Sequence, residues 1–317
     1  MKIATVTLNP AIDQTVRVDH FQTNTVNRGQ VMQFDAGGKG VNVASLLADS
    51  GHTVAVTGFL GQENVDIFEH FFTRKGIEDH FVRVPGQTRI SVKIVDETNR
   101  QTTDINMPGL SPSVEALNTL AQEIEQLSAS CDWFVLAGAL PPGMPTNSYT
   151  RIITQLKGHS KQIVLDTSNA ALLEGAQAGP TIIKPNIDEL QQLFGEQLTN
   201  EAAIELAAYR LLGNGTRLVV VSMGEQGALF VDQATTLIAV PPAVRVKSTV
   251  GAGDAMVAGL IAGQAQGLSL PDCARLATAF SLGRITRVGS DLPDPEVIQD
   301  YFQQVDVHTC SNVPRSV

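Results

Sequence analysis

The feature that most constrains this chain is an alternation of short apolar runs with amphipathic segments, sustained along most of its length. The runs are Ile3–Leu8, His52–Phe59, Trp133–Ala137, Gln162–Asp166, Thr181–Lys184 and Arg217–Met223. Between them lie stretches such as Ser113–Leu127, Thr146–Leu156 and Asn200–Leu212, whose apolar residues recur at helical spacing. A strand buried on both faces reads as a continuous apolar run, and intervening helices supply the cover. The pattern therefore predicts an α/β fold with a mostly parallel central sheet flanked by helices. With 317 residues, 43% of them hydrophobic, the chain can bury a large core. No repeat or low-complexity linker divides it, so one domain over residues 1–317 is expected.

Two stretches break the rhythm. Asp13–Phe34 and Thr88–Asn106 contain TVRV and RISVKIV, in which polar and apolar residues alternate without helical period. Such alternation predicts antiparallel strands with one exposed face. A small accessory sheet is expected from strands inserted at about 13–34 and 88–106.

Charge excludes some functions. Twenty-two basic against 32 acidic residues give a net charge of −10, with no Lys/Arg cluster, so a nucleic-acid surface is not expected. An acidic protein must bind anions with a few placed groups. No apolar run approaches the roughly 20 residues of a membrane helix. The opening MKIATVTLNPAID turns polar after a few residues and reads as a buried first strand, not a signal peptide. Cys131, Cys273 and Cys310 are odd in number and far apart, which argues against disulfides and for a reducing cytoplasm. The six histidines lack ligand spacing, so structural zinc is not expected.

The chemistry concentrates in four motifs. In VKSTVGAGDAMVAG, residues 246–259, Gly251, Ala252 and Gly253 lead through Asp254 into an apolar, helix-like run. A glycine turn opening a helix favours a phosphate through free N–H groups and the helix dipole. A carboxylate there repels a resting phosphate, and packing alone does not call for one. This is neither a Walker A loop nor a dinucleotide fingerprint. Phosphoryl transfer accounts for both features: the turn stabilises the moving group, and Asp254 orients an acceptor hydroxyl and takes its proton.

The second motif is DAGGKGVNVA, residues 35–44, where glycines permit close backbone approach while Lys39 and Asn42 offer a cation and an amide. The third is IIKPNIDEL, residues 182–190, a strand end followed by Asn186 and Glu189 on one helical face. Taken alone, it equally describes an N-cap with an acidic first turn. The fourth, VVVSMGEQGALF at 219–230, carries Gly224 and Gly227 and alone would pass for a tight hairpin.

In this order, GGKGVNVA, KPNxxEL, SMGEQGA and STVGAGD resemble the ribokinase-like carbohydrate kinases of the phosphofructokinase-B type, over essentially the whole chain. Within that family TLNPAID at 7–13, TRISVKI at 88–94 and STVGAGD at 248–254 are most similar to the 1-phosphofructokinase branch. The resemblance implies a ribokinase-like fold with a small antiparallel β lid. It also implies transfer of phosphate from ATP to fructose 1-phosphate, with Mg2+ required and K+ a further candidate. Tagatose-6-phosphate and fructose-6-phosphate kinases share much of the pattern and remain alternatives. A catalytically silent sugar or nucleotide sensor is the alternative of a different class.

Roles follow from the same resemblance. Asp254 matches the catalytic base, with Gly251, Ala252 and Gly253 as its anion hole. Asp13, Gly38 and Asn42 match sugar contacts. Arg89 matches the grip on the sugar's existing phosphate, with Lys39 and Arg28 as further candidates. Lys184, Asn186, Ser222, Gly224, Gly227, Ser248 and Thr249 match nucleotide contacts. Asn186, Glu189 and Asp166 match the magnesium network, reached through water. The lid implies a homodimer formed through it. Two departures stand out: Ala137 and Ala139 occupy positions where relatives carry serine, and Arg287 stands where relatives place an asparagine near the adenine.

Overall fold

The computed structural model describes residues 1–99, 101–287, 289 and 291–310, and only the backbone at Val31. In chain order the first elements are β1 (Lys2–Thr7), β2 (Ala11–Arg17), β3 (Val31–Gly37), α1 (Lys39–Asp49), β4 (Thr53–Gly61), α2 (Asp66–Lys75), β5 (Glu78–Asp79), β6 (Val82–Val84), β7 (Ile90–Asp96) and β8 (Gln101–Ile105). Next come α3 (Val114–Ser128), β9 (Trp133–Ala137), α4 (Ser148–Gly158), β10 (Gln162–Asp166), α5 (Asn169–Gln177), β11 (Ile182–Ile183), α6 (Ile187–Phe194) and α7 (Glu201–Tyr209). The last are β12 (Leu218–Ser222), β13 (Ala228–Val231), β14 (Thr236–Val240), α8 (Ala252–Ala265), α9 (Leu270–Ile285), α10 (Pro295–Gln304) and β15 (Asp306–Thr309).

The large sheet runs β15-β14-β13-β12-β11-β10-β9-β1-β4-β5, with β6 also beside β4. From β12 to β5 every neighbouring pair is parallel. Beyond β12 the pairs become antiparallel, because β13 returns through a tight turn instead of a helical crossover. Side chains of β1 alternate between cores: Ile3 joins the cluster under α1, α8 and α9, while Ala4 and Val6 join the one under α3 and α4. This two-sided burial explains why the strands read as unbroken apolar runs. Helix α8 is buried from Asp254 to Gly263, as a helix apolar on all sides must be.

The small sheet has the order β3-β2-β7-β8. Pairs β2/β3 and β7/β8 are antiparallel, whereas β2 and β7 at the centre are parallel. The parallel join follows from topology: β2 continues from β1 and β7 follows β4 and β6, and those parents are themselves parallel. Residues 18–30 form the connection between β2 and β3 and are not strand. Arg100, inside the second alternating stretch, lies outside the described residues. No helix among the described residues is long and apolar enough to cross a membrane.

Candidate active site

The polar motifs converge where the parallel strands end. Asp166 closes β10, Lys184 directly follows β11, Ser222 closes β12, and Gly138 follows β9. Helices α1 and α8 begin at the same edge, opened by Gly38 and Gly251. The carboxyl edge of an open parallel sheet is where such folds bind ligands.

Asp254 sits in the first turn of α8, with 6% of its surface exposed. Asn42 Nδ2, from the first turn of α1, donates to Asp254 Oδ2 at 2.7 Å. Burial and the nearby Asp166 charge push the Asp254 carboxyl up to about 6, against the lowering pull of Asn42, Lys39 and Lys184. Gly251 adopts φ 80°, a left-handed conformation that glycine takes without cost. Ala252 N–H reaches Thr249 O at 3.4 Å, while the Gly253 and Asp254 N–H groups find no acceptor among the described residues. Open N–H groups in a helix's first turn are the donors an anion would use.

A line of alternating charge runs beside this turn. Lys39 Nζ donates to Asp166 Oδ1 at 2.8 Å and lies 4.0 Å from Glu189 Oε1. Lys184 Nζ is 3.5 Å from the same Asp166 oxygen and adjoins Gly253, 3.3 Å from where a Cβ would stand. Burial opposes charge on Asp166, but Lys184 and Lys39 outweigh it and hold the carboxyl below its ordinary range. Burial likewise opposes charge on Lys39, and Asp166, Glu189 and Asp254 more than offset it, raising the ammonium. Asn186 and Glu189 form a complete capping box at the start of α6, so the bland reading of KPNxxEL holds as a local fact.

Fitness for magnesium can be judged from these donors. Asp166 Oδ2 is buried without a hydrogen-bond partner. Among the described residues no cluster of three or more His, Cys, Asp or Glu could cage a metal alone. The unpartnered Asp166 oxygen suits Mg2+, which keeps several waters and takes one or two carboxylates beside substrate phosphates.

The small sheet contributes a second set. Asp13 on β2 faces Asp35 on β3 in register, and Gly37 leaves room for it: a Cβ there would lie 2.5 Å from Asp13 Oδ2. Burial raises the Asp13 carboxyl despite Lys93 and Arg89. Arg89 donates to the carbonyls of Pro10 (3.2 Å), Asn9 (3.1 Å) and Met107 (3.1 Å), and lies 3.4 Å from Ser91 Oγ. Gly38, at φ 120°, caps α1 against Pro10. Arg28 is exposed in the β2–β3 connection, and no hydrogen bond or ion pair among the described residues ties it to the others.

The remaining motif residues frame the opposite side. Asn186, beyond the end of β11, bridges to Ser222 at the end of β12. Gly224 and Gly227 take φ 63° and 90°, and a Cβ on Gly227 would come within 2.0 Å of Ala239 O. That glycine is thus required by the hairpin itself. Ser248 N–H donates to Ile285 O and its Oγ accepts from Val250 N, and Thr249 supplies the carbonyl that Ala252 reaches. Arg287 is exposed. Sequence reasoning missed Arg284 on α9, whose Nε would lie 2.9 Å from a Cβ on Gly251. Only its basic character was visible, because the contact depends on how α9 folds back along α8.

The chain is similar to proteins of known name. A 1-phosphofructokinase of Rhodobacter capsulatus is 46% identical over 310 residues, 98% of each chain. Another, of Xanthomonas campestris, is 43% identical over 95% of this chain and 96% of its own. A solved structure of phosphofructokinase-2 from Escherichia coli in complex with potassium superposes with a TM-score of 0.89 at 27% identity, covering 95% of this chain and 98% of that one. A family model described as pfkB family carbohydrate kinase matches residues 6–297. The ribokinase-like fold, the ordered motifs and the converging carboxylates have one common explanation: the chain belongs to the pfkB family of carbohydrate kinases.

Proposed function

We propose that this chain transfers the γ-phosphoryl group of ATP to the free CH2OH of fructose 1-phosphate, giving fructose 1,6-bisphosphate and ADP. The observation that carries the chemistry is the buried Asp254 carboxylate, held by Asn42 beside the open first turn of α8. The choice of sugar rests on relatives named 1-phosphofructokinase. Fructose 6-phosphate and tagatose 6-phosphate have the same polar groups to offer, so the choice is one of relative KM.

In the transfer, the sugar hydroxyl oxygen forms a bond to the γ-phosphorus while the bond from that phosphorus to the β–γ bridging oxygen breaks. The bridging oxygen leaves on ADP with the electron pair. The hydroxyl proton passes to a carboxylate oxygen of Asp254, a base whose affinity is suited to neutral pH. The N–H groups of residues 251–253 receive charge from the moving group. Lys184, Asn186, Ser222, Gly224, Gly227, Ser248 and Thr249 bind the nucleotide. Asp13, Gly38 and Asn42 hold sugar hydroxyls, and Arg89, with Lys39 and Arg28 as further cations, holds the sugar phosphate. Asp166, Asn186 and Glu189 would hold Mg2+ through water; the ion neutralises charge on the triphosphate.

We read the chain as one kinase domain whose small sheet acts as the lid, working in the cytoplasm. Exposed Met32, Phe34 and Ile105 on that sheet support a homodimer formed there. A K+ response is proposed from the Escherichia coli structure alone. The function is tested by ADP release from Mg-ATP with fructose 1-phosphate, fructose 6-phosphate, tagatose 6-phosphate and ribose in separate reactions. The highest kcat/KM is expected with fructose 1-phosphate; a higher value with any other would overturn the choice of sugar.

A further inference from the structure

Helix α9 returns antiparallel along α8, so its last turn lies against the first turn of α8. Two contacts fasten it there. Ser281 Oγ donates to Ala252 O at 2.8 Å, and Ile285 O accepts from Lys247 N at 2.8 Å and Ser248 N at 3.2 Å. Arg284 lies between these fasteners. Its guanidinium rests on the bare face of Gly251: a Cβ there would stand 2.9 Å from Nε, 3.5 Å from Nη2 and 3.6 Å from Cζ. Glycine is favoured at 251 by its positive φ, and a side chain there would have to displace this guanidinium.

The guanidinium is half-buried, yet it makes no hydrogen bond or ion pair among the described residues. Four carboxylates act on it electrostatically, Asp254 most strongly and then Asp35, Asp13 and Asp291, but none approaches to ion-pair distance. A planar cation with five donors, kept partly from water and without an acceptor among the described residues, is costly unless an anion completes it. Its place is defined on both sides. Gly251 opens the turn proposed above to hold the moving phosphoryl group, and Asp254, the base proposed there, is the carboxylate that acts on the guanidinium most strongly.

We propose that Arg284 is a catalytic residue of the phosphotransfer, its guanidinium donating to oxygens of the phosphoryl group as it passes between ADP and the acceptor hydroxyl. This rests on the phosphotransfer reading above. Charge on those oxygens is then shared between fixed backbone donors on one side and Arg284 on the other. Bond making and breaking are unchanged: the proton still goes to Asp254 and the electron pair to ADP. The cation and the base stay separate because the guanidinium faces the equatorial oxygens and the carboxylate faces the attacking hydroxyl.

The test compares Arg284→Ala and Arg284→Lys with the wild type in two assays. In turnover, Arg284→Ala should lose kcat by about 10²-fold or more, the range for removing a donor to transferring charge. KM for both substrates should change by less than about 3-fold, and Arg284→Lys should lose less kcat. In the second assay, without sugar, Mg-ADP is titrated alone and with aluminium fluoride, a mimic of the phosphoryl group in flight. Arg284→Ala should leave Mg-ADP binding unchanged and abolish most of the tightening that fluoride produces. Unchanged kcat, or a raised KM for the sugar phosphate with kcat kept, would overturn the proposal. So would equal fluoride tightening in wild type and variant. A wild type that turns over no ketose phosphate but still shows the Arg284-dependent tightening would sink the sugar reading and leave this one standing.

Discussion

Asn42 Nδ2 donates to Asp254 Oδ2 across 2.7 Å, joining the first turns of two helices that lie 212 residues apart in sequence. One amide thus fixes the rotamer of the buried carboxylate and helps keep it ionised where burial and Asp166 favour the neutral form. Geometry and basicity of the proposed base are set together.

Asn42→Ala removes that donor, so the Asp254 carboxyl should rise further above about 6. The base works only when ionised, so kcat/KM of the wild type should climb with pH through about 6. In Asn42→Ala that acid limb should move up by about one pH unit, the worth of one hydrogen bond to a charged group. A limb that stays in place would separate Asn42 from the ionisation of Asp254.

Arg89→Ala should raise KM for the sugar phosphate by about 10- to 100-fold, from lost charge-assisted hydrogen bonds. KM for ATP should stay within about 2-fold. Arg89 also braces Asn9, Pro10 and Met107 carbonyls, so Arg89→Lys is the informative companion: it keeps charge but loses the fork. Equal effects on both substrates would remove Arg89 from the phosphate site.

Gly227→Ala should cost several kcal/mol, about 2–4, because φ is 90° and the new Cβ meets Ala239 O at 2.0 Å. Gly224→Ala meets nothing and should cost about 1 kcal/mol for its positive φ. Thermal unfolding separates the two. Any rise in ATP KM for Gly224→Ala then reports ligand contact, free of hairpin strain.

Much of this was legible in the sequence because burial on two faces writes itself as apolar runs: Trp133–Ala137 and Gln162–Asp166 match their strands to the residue. The GAGD and GGKG turns were legible through their glycines. The antiparallel end of the large sheet was less so, since β13 and β14 carry the same buried residues as parallel strands and only the tight turn at Gly227 distinguishes them. The bond between Asn42 and Asp254, the pairing of Lys39 with Asp166 and the seat of Arg284 were not legible at all. Each depends on which helix ends meet at one sheet edge, a property of topology and not of local spacing.

Asp254 is proposed as the base of a phosphotransfer and not a structural acid. Asp254→Asn keeps size and burial while removing basicity, and its turnover with Mg-ATP and fructose 1-phosphate measures the difference. We predict a kcat loss of about 10²- to 10⁴-fold, with nucleotide affinity within about 3-fold of wild type. An unchanged kcat would make Asp254 a structural acid.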